Sequence, residues 1–113
     1  MTISNLTCCS YKKIVQDRIC TAWSITGGEI GVQTIYSNNF SKNITASGFI
    51  KYQIGTNEIT VDFFQGTTVI DSITLQPQSS GTFTVKGFTH IQIVTATGLH
   101  QGEFCMTLSY PLQ

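Results

Sequence analysis

The residues of this chain best equipped for chemistry are its four cysteines, Cys8, Cys9, Cys20 and Cys105, spread over 113 positions. A thiol can act as a metal ligand, as a nucleophile or as half of a disulfide. A metal centre would need ligands in clustered spacing. Cys8-Cys9 is not a Cys-x-x-Cys knuckle, and His90 and His100 lie far along the chain. A nucleophilic thiol needs a base beside it and a group to orient that base. His100 precedes Cys105 by five positions, but across Gly102 and with no orienting acid nearby, so it reads as a solvated loop histidine. Asp62 and Asp71 fall on adjacent expected strands, where two carboxylates could serve glycoside hydrolysis. Isolated outward acids on a β-sandwich ordinarily keep it soluble, and that is the reading adopted. Neither a catalytic residue, a metal site nor a cofactor is expected.

Disulfide chemistry remains. Neighbouring Cα atoms are about 3.8 Å apart, below the usual span of bridged residues, so Cys8 and Cys9 are expected to have different partners. Their connectivity cannot be read from spacing. An arm of about ten residues reaches up to roughly 33 Å, so staples within the chain and bonds between chains both stay open. Three sequons, at Asn5, Asn39 and Asn43, are given no role.

The elements that position these thiols are strands. The chain holds 17 Thr, 14 Ile, 6 Val and 12 aromatic residues against 3 Ala, 5 Leu and 3 Glu, a strand vocabulary. Period-two alternation marks eight segments separated by turn residues. The first, Ile14 to Ile25, sends Val15, Ile19, Trp23 and Ile25 inward and Cys20 outward. The second, Glu29 to Ser37, aligns Ile30, Val32 and Tyr36. The third aligns Ile50, Tyr52 and Ile54, and the fourth Ile59, Val61 and Phe63. The fifth runs from Thr67 to Leu75, the sixth from Thr82 to Lys86 with Phe83 and Val85 inward, and the seventh from His90 to Thr97 with Ile91 and Ile93. Between the fifth and sixth, Pro77 stops a ladder and Gly81 offers a positive φ. The eighth, Glu103 to Tyr110, puts Phe104, Met106, Leu108 and Tyr110 inward and Cys105 outward, and Pro111 closes it. Phe40, Phe49, Phe64 and Phe88 break the alternation and are expected at the surface or at sheet edges.

Eight short antiparallel strands in one domain predict an all-β, eight-stranded jelly-roll sandwich over residues 14–113, with residues 1–13 as an extended N-terminal connector arm. An immunoglobulin-like sandwich is the runner-up. Its paired cysteines should lie inward, whereas Cys20 and Cys105 fall on outward positions. Six basic and six acidic residues cancel, which argues against nucleic acid or an anionic membrane surface as partner. No apolar run reaches the roughly 20 residues of a membrane-spanning helix, and the first residues lack the pattern of an export signal. Disulfide-forming cysteines and the lack of a visible export signal are in conflict, since disulfides persist in oxidising surroundings.

The cysteine frame resembles that of the subunits of bacillus endospore appendage fibres. Leu6-Thr7-Cys8-Cys9 is followed after ten residues by Cys20, and Gly102-Glu103-Phe104-Cys105 is followed after four residues by Tyr110. Those subunits carry an aliphatic residue, a cysteine pair and a third cysteine ten to twelve positions on, then Gly, two or three residues, Cys, four residues and Tyr. This chain matches both patterns over nearly its whole length. The resemblance implies a self-assembling jelly-roll subunit joined laterally by sheet edges, with an N-terminal connector bonded covalently to subunits of another layer. It implies Cys8 and Cys9 as connector thiols, Cys20 and Cys105 as their acceptors on the β-domain, and Leu6 as the connector's hydrophobic anchor. Its partners are then copies of the chain itself, in a helical or stacked-ring homopolymer, and a protein anchoring the fibre to the spore. Production inside the mother cell without a signal peptide, with release on lysis, resolves the conflict of address. Two other classes stay in view. One is a secreted, disulfide-stabilised β-sandwich that binds a carbohydrate or receptor. The other is a hydrolase on the same scaffold.

Overall fold

The computed structural model describes residues 13–27, 31–38 and 44–112. Eight strands follow one another: β1 (Lys13–Gly27), β2 (Gly31–Ser37), β3 (Thr45–Ile54), β4 (Ile59–Gln65), β5 (Thr68–Leu75), β6 (Ser79–Lys86), β7 (His90–Thr95) and β8 (Gly98–Leu112). They form two four-stranded antiparallel sheets, in the orders β1-β8-β3-β6 and β2-β7-β4-β5. Apart from the β4–β5 hairpin, each strand hands the chain to the opposite sheet. That is the jelly roll. In an immunoglobulin-like sandwich the first two strands would be neighbours, and here β1 and β2 lie in different sheets.

Turn chemistry sets the crossings. The hairpin closes through Gly66-Thr67, with Gly66 at a φ of 65° as a type II′ turn requires at its first central residue. In the β5–β6 connection the positive φ falls on Gln78, at 63°, and not on Gly81 as expected. Pro77 fixes the preceding residue of a type II turn, which leaves Gln78 in the left-handed position. Ser79 Oγ donates to the Gln76 carbonyl at 2.6 Å across it. Gly81 lies inside β6, opposite Ile50.

The core lies between the sheets. Ile50, Tyr52, Phe83, Val85, Phe104, Met106 and Leu108 from one sheet meet Ile59, Val61, Phe63, Ile91 and Ile93 from the other, all buried. Phe63, Phe83 and Phe104 form an aromatic file, with centroids 5.0 Å and 6.1 Å apart in succession. Two inward assignments fail for one cause. Register shifts between Thr34 and Tyr36 and between Tyr52 and Ile54 insert an extra residue and exchange the faces. Val32 and Ile54, aligned in the sequence with Tyr36 and Tyr52, are therefore exposed, at 57% and 53%. Phe88, expected near the surface, is buried and packs on Tyr36. Phe49 and Phe64 are half-buried. Phe40 and Ile30 lie outside the described residues.

Candidate functional site

Strands β1 and β8 pair from Lys13↔Leu112 to Gly27↔Gly98, the longest ladder in the fold. It begins well before Glu103 and continues through Pro111, where a shorter β8 was expected. Alternation along both strands turns Ile19, Trp23, Phe104 and Met106 toward the core and Cys20 and Cys105 away from it. The register sets the two cysteines directly opposite each other, with Cα atoms 4.1 Å apart. So close an approach marks the non-hydrogen-bonded type of antiparallel pair, in which side chains are nearest. Cys20 and Cys105 are joined as a disulfide within the chain, across 85 positions.

The two residues implied as acceptors on the β-domain are thus bonded to each other within this chain, the staple that the cysteine count had left open. The spacing carried no sign of it, because only the β1–β8 register makes them neighbours. Cys8, Cys9 and Leu6 lie outside the described residues, as does all of the expected arm except Lys13, which is already in β1.

The disulfide sits in an outward row, Cys20–Cys105–Phe49–Thr82, that crosses all four strands of its sheet. Cys20 is exposed on the edge strand, and Cys105 is half-buried between β1 and β3. A shallow concavity of about 230 Å³ opens on it, lined by Cys20, Thr21, Ala22, Glu103 and Cys105. The adjacent row holds Glu103 and Lys51, whose charged ends are 3.9 Å apart and half-exposed. Lys51 Nζ also stands 5.5 Å from the centre of the Phe49 ring. On the other side, Arg18 shares the outward face of β1 with Cys20. Phe49 was expected at the surface. Arg18 and Glu103 share outward parity with the cysteine of their own strand, a signal available in the sequence, whereas Lys51, on a strand without a cysteine, is brought here only by the β3–β8 register.

The candidates for other chemistry do not converge. His100 is no loop residue: it lies in β8, fully buried, with Nδ1 3.1 Å from the Gly98 carbonyl and its ring 5.9 Å from that of Tyr52. Extension of β8 back to Gly98 turns position 100 inward. Asp62 accepts a hydrogen bond from Ser72 Oγ at 2.8 Å, while Asp71 stands opposite Phe63, one row away. Among the described residues no three His, Cys, Asp or Glu side chains cluster as metal ligands would. His90 stacks on Phe64 with centroids 4.5 Å apart, on the outward face of the second sheet.

The fold and the site define a jelly-roll subunit with its first and last strands tied by an outward-facing disulfide. The chain belongs to the endospore appendage family: the family model described as "Enas: Endospore appendages" matches residues 6–112. It is similar to a solved subunit described under "Bacillus endospore appendages form a novel family of disulfide-linked pili". The two are 37% identical, the match covers 96% of this chain and 99% of the other, and the TM-score is 0.84. A likeness to PirA, at 20% identity over 82% of this chain and 93% of that one with a TM-score of 0.51, is a likeness of fold alone. No curated protein matches the chain.

Proposed function

We propose that the chain is the repeating subunit of a disulfide-cross-linked fibre on the endospore surface, joined laterally by sheet edges and longitudinally by its N-terminal connector. Family membership supplies the fibre. The observation that carries the covalent part is the outward, edge-proximal position of Cys20 and Cys105, where a second chain can reach them. Cys8 and Cys9 act as donors, Cys20 and Cys105 as acceptors, and Leu6 seats the connector. A bond between chains that joins two thiols needs a two-electron oxidant, which a low-molecular-weight disulfide supplies, whereas one made by exchange with the Cys20–Cys105 disulfide does not. The partners are copies of the same chain and a spore-anchoring protein. Synthesis in the mother cell without a signal peptide goes with this reading.

Lateral joining is supported by β1, β6, β2 and β5, which end their sheets among the described residues. Each presents unpaired backbone N–H and C=O groups to another chain. β5 is exposed on both faces from Thr68 to Ser72, and none of the four carries a proline within its bounds. Zero formal net charge does not oppose association.

The test is gel electrophoresis in denaturing detergent without reductant, on the wild type and on Cys8→Ala/Cys9→Ala, with mass spectrometry of cross-linked peptides. High-mass polymer from the wild type only, with Cys8 or Cys9 bonded to Cys20 or Cys105 of another copy, is the expected result. A wild type running as monomer overturns the connector reading. Separately, proline placed in an interfacial edge should abolish filaments in negative stain and leave the subunit folded. Filaments that survive proline at every edge exclude lateral strand pairing.

A further inference from the structure

The two sulfurs of the Cys20–Cys105 disulfide are not equivalent targets. A thiolate that opens a disulfide attacks one sulfur from behind, in line with the bond it breaks. Behind Cys20 lies the open side of β1, and no strand follows it in the sheet order among the described residues. Behind Cys105 lies β3, which places Phe49 directly opposite at the register position Phe49↔Cys105. Side chains so paired have Cβ atoms about 4.5–5.5 Å apart, which sets the Phe49 side chain next to Cys105 on the β3 side. The contact of Lys51 with the Phe49 ring helps hold it there. Exposure runs the same way, with Cys20 open and Cys105 half-buried. Charge does not separate the two sulfurs, because Glu103 lines the concavity beside both and is paired with Lys51.

We propose that the Cys20–Cys105 disulfide is opened at Cys20 by an incoming thiolate, with Phe49 as the positioning residue that closes the approach to Cys105. The attacking sulfur forms a bond to Cys20 Sγ, the old sulfur–sulfur pair departs on Cys105, and the Cys105 thiolate takes a proton from water. One disulfide forms as one breaks, with no oxidant consumed. Resting on the connector reading, the inference assigns order to assembly: the first connector bond is made to Cys20 by exchange, and Cys105 is released as a thiol for the second, which joins two thiols and passes its two electrons to a low-molecular-weight disulfide.

The direction of opening is measurable on single chains. The full-length Cys8→Ala/Cys9→Ala chain, in which Cys20 and Cys105 alone can react, is exposed briefly to glutathione, quenched in acid, alkylated and mapped by mass spectrometry. At early times the Cys20 adduct should exceed the Cys105 adduct by about tenfold, since access governs which sulfur is attacked. Phe49→Thr, which keeps a strand-forming residue, should reduce the excess to about twofold or less, and Phe49→Tyr should retain it. Near-ultraviolet circular dichroism confirms that each variant is folded. An initial excess below about threefold, a preference for Cys105, an excess that Phe49→Thr leaves unchanged, or thiols that alkylate without any reductant would each overturn the proposal. Parallel gels of the wild type test the connector reading by itself. A fibre without bonds between chains defeats that reading and leaves the measured preference standing, while bonded fibres with no preference at Cys20 defeat only the inference.

Discussion

Tyr52 stands across Gly102 from Trp23, on the two strands flanking β8, with the ring centroids 6.1 Å apart and the planes tilted by 42°. The absence of a side chain at position 102 permits this. A Cβ there would drive into the Lys51 carbonyl and the Trp23 indole.

Gly102→Ala should therefore destabilise the subunit by about 3 kcal/mol, the upper range of overpacking, because a backbone oxygen cannot swing aside. Gly81→Ala is the contrast. Its Cβ would meet only the ends of Leu75 and Ile73, at 3.1 Å and 3.2 Å. A cost below about 1 kcal/mol is expected where such ends can give way. Guanidinium midpoints of the two variants decide it, and equal midpoints would refute the distinction.

Phe104 is buried at 1% exposure and stacks on Phe83 with the planes 8° apart. Replacement by Ala should cost about 3–5 kcal/mol, the range for emptying an aromatic site in a packed core. Val32→Thr and Ile54→Thr, on exposed positions, should stay within about 0.5 kcal/mol of the wild type. If Val32→Thr proved as damaging as Phe104→Ala, the parity exchange at the β2 bulge would be wrong.

Much of this architecture was legible because period-two alternation survives wherever a strand is regular. Ile59, Val61 and Phe63 on β4, and Phe104, Met106 and Leu108 on β8, point inward as the sequence implies. The reading failed where one extra residue exchanges the faces, at Val32 and Ile54, since a bulge leaves the composition of its strand unchanged. It failed again where a strand continues through residues that resemble a turn: Gly102 kept β8 from being extended back to Gly98 and hid His100 from the core. The outward positions of Cys20 and Cys105 follow from the same alternation. Their union does not, because whether two strands far apart in sequence are neighbours, and in what register, is decided by the topology of the whole sandwich.

The disulfide ties the first strand to the last and closes a loop across 85 positions. Cys20→Ala/Cys105→Ala should lower the stability of the unassembled chain by about 2–4 kcal/mol, chiefly by restoring freedom to the unfolded state. Reductant should bring the wild type down to the variant and leave the variant unmoved. Chemical denaturation with and without reductant checks this, and a variant as stable as the oxidised wild type would show that the long β1–β8 ladder needs no covalent help.

The tyrosines predict an alkaline limit to stability. Tyr110 donates to Asp17 Oδ2 at 2.9 Å, and that bond to a carboxylate raises its pKa above the ordinary 10.0, with burial and the charge of Asp17 acting the same way. Burial raises Tyr52 and Tyr36. A pKa raised on folding means that the folded chain holds its proton more tightly than the unfolded one. The associated stabilisation is fully present below the ordinary value and is lost as the pH climbs through the raised values. Stability should thus fall above pH 10.0, while the folded chain develops its tyrosinate absorbance later than the denatured chain. Tyr110→Phe removes the hydroxyl that Asp17 accepts from, so its stability should decline less steeply over that window. Titration of tyrosinate absorbance in folded and denatured chains, paired with denaturation at several alkaline pH values, measures both effects. If Tyr36, Tyr52 and Tyr110 ionised in the folded chain together with those of the denatured chain, or if Tyr110→Phe left the slope untouched, the link between these hydroxyls and stability would be refuted.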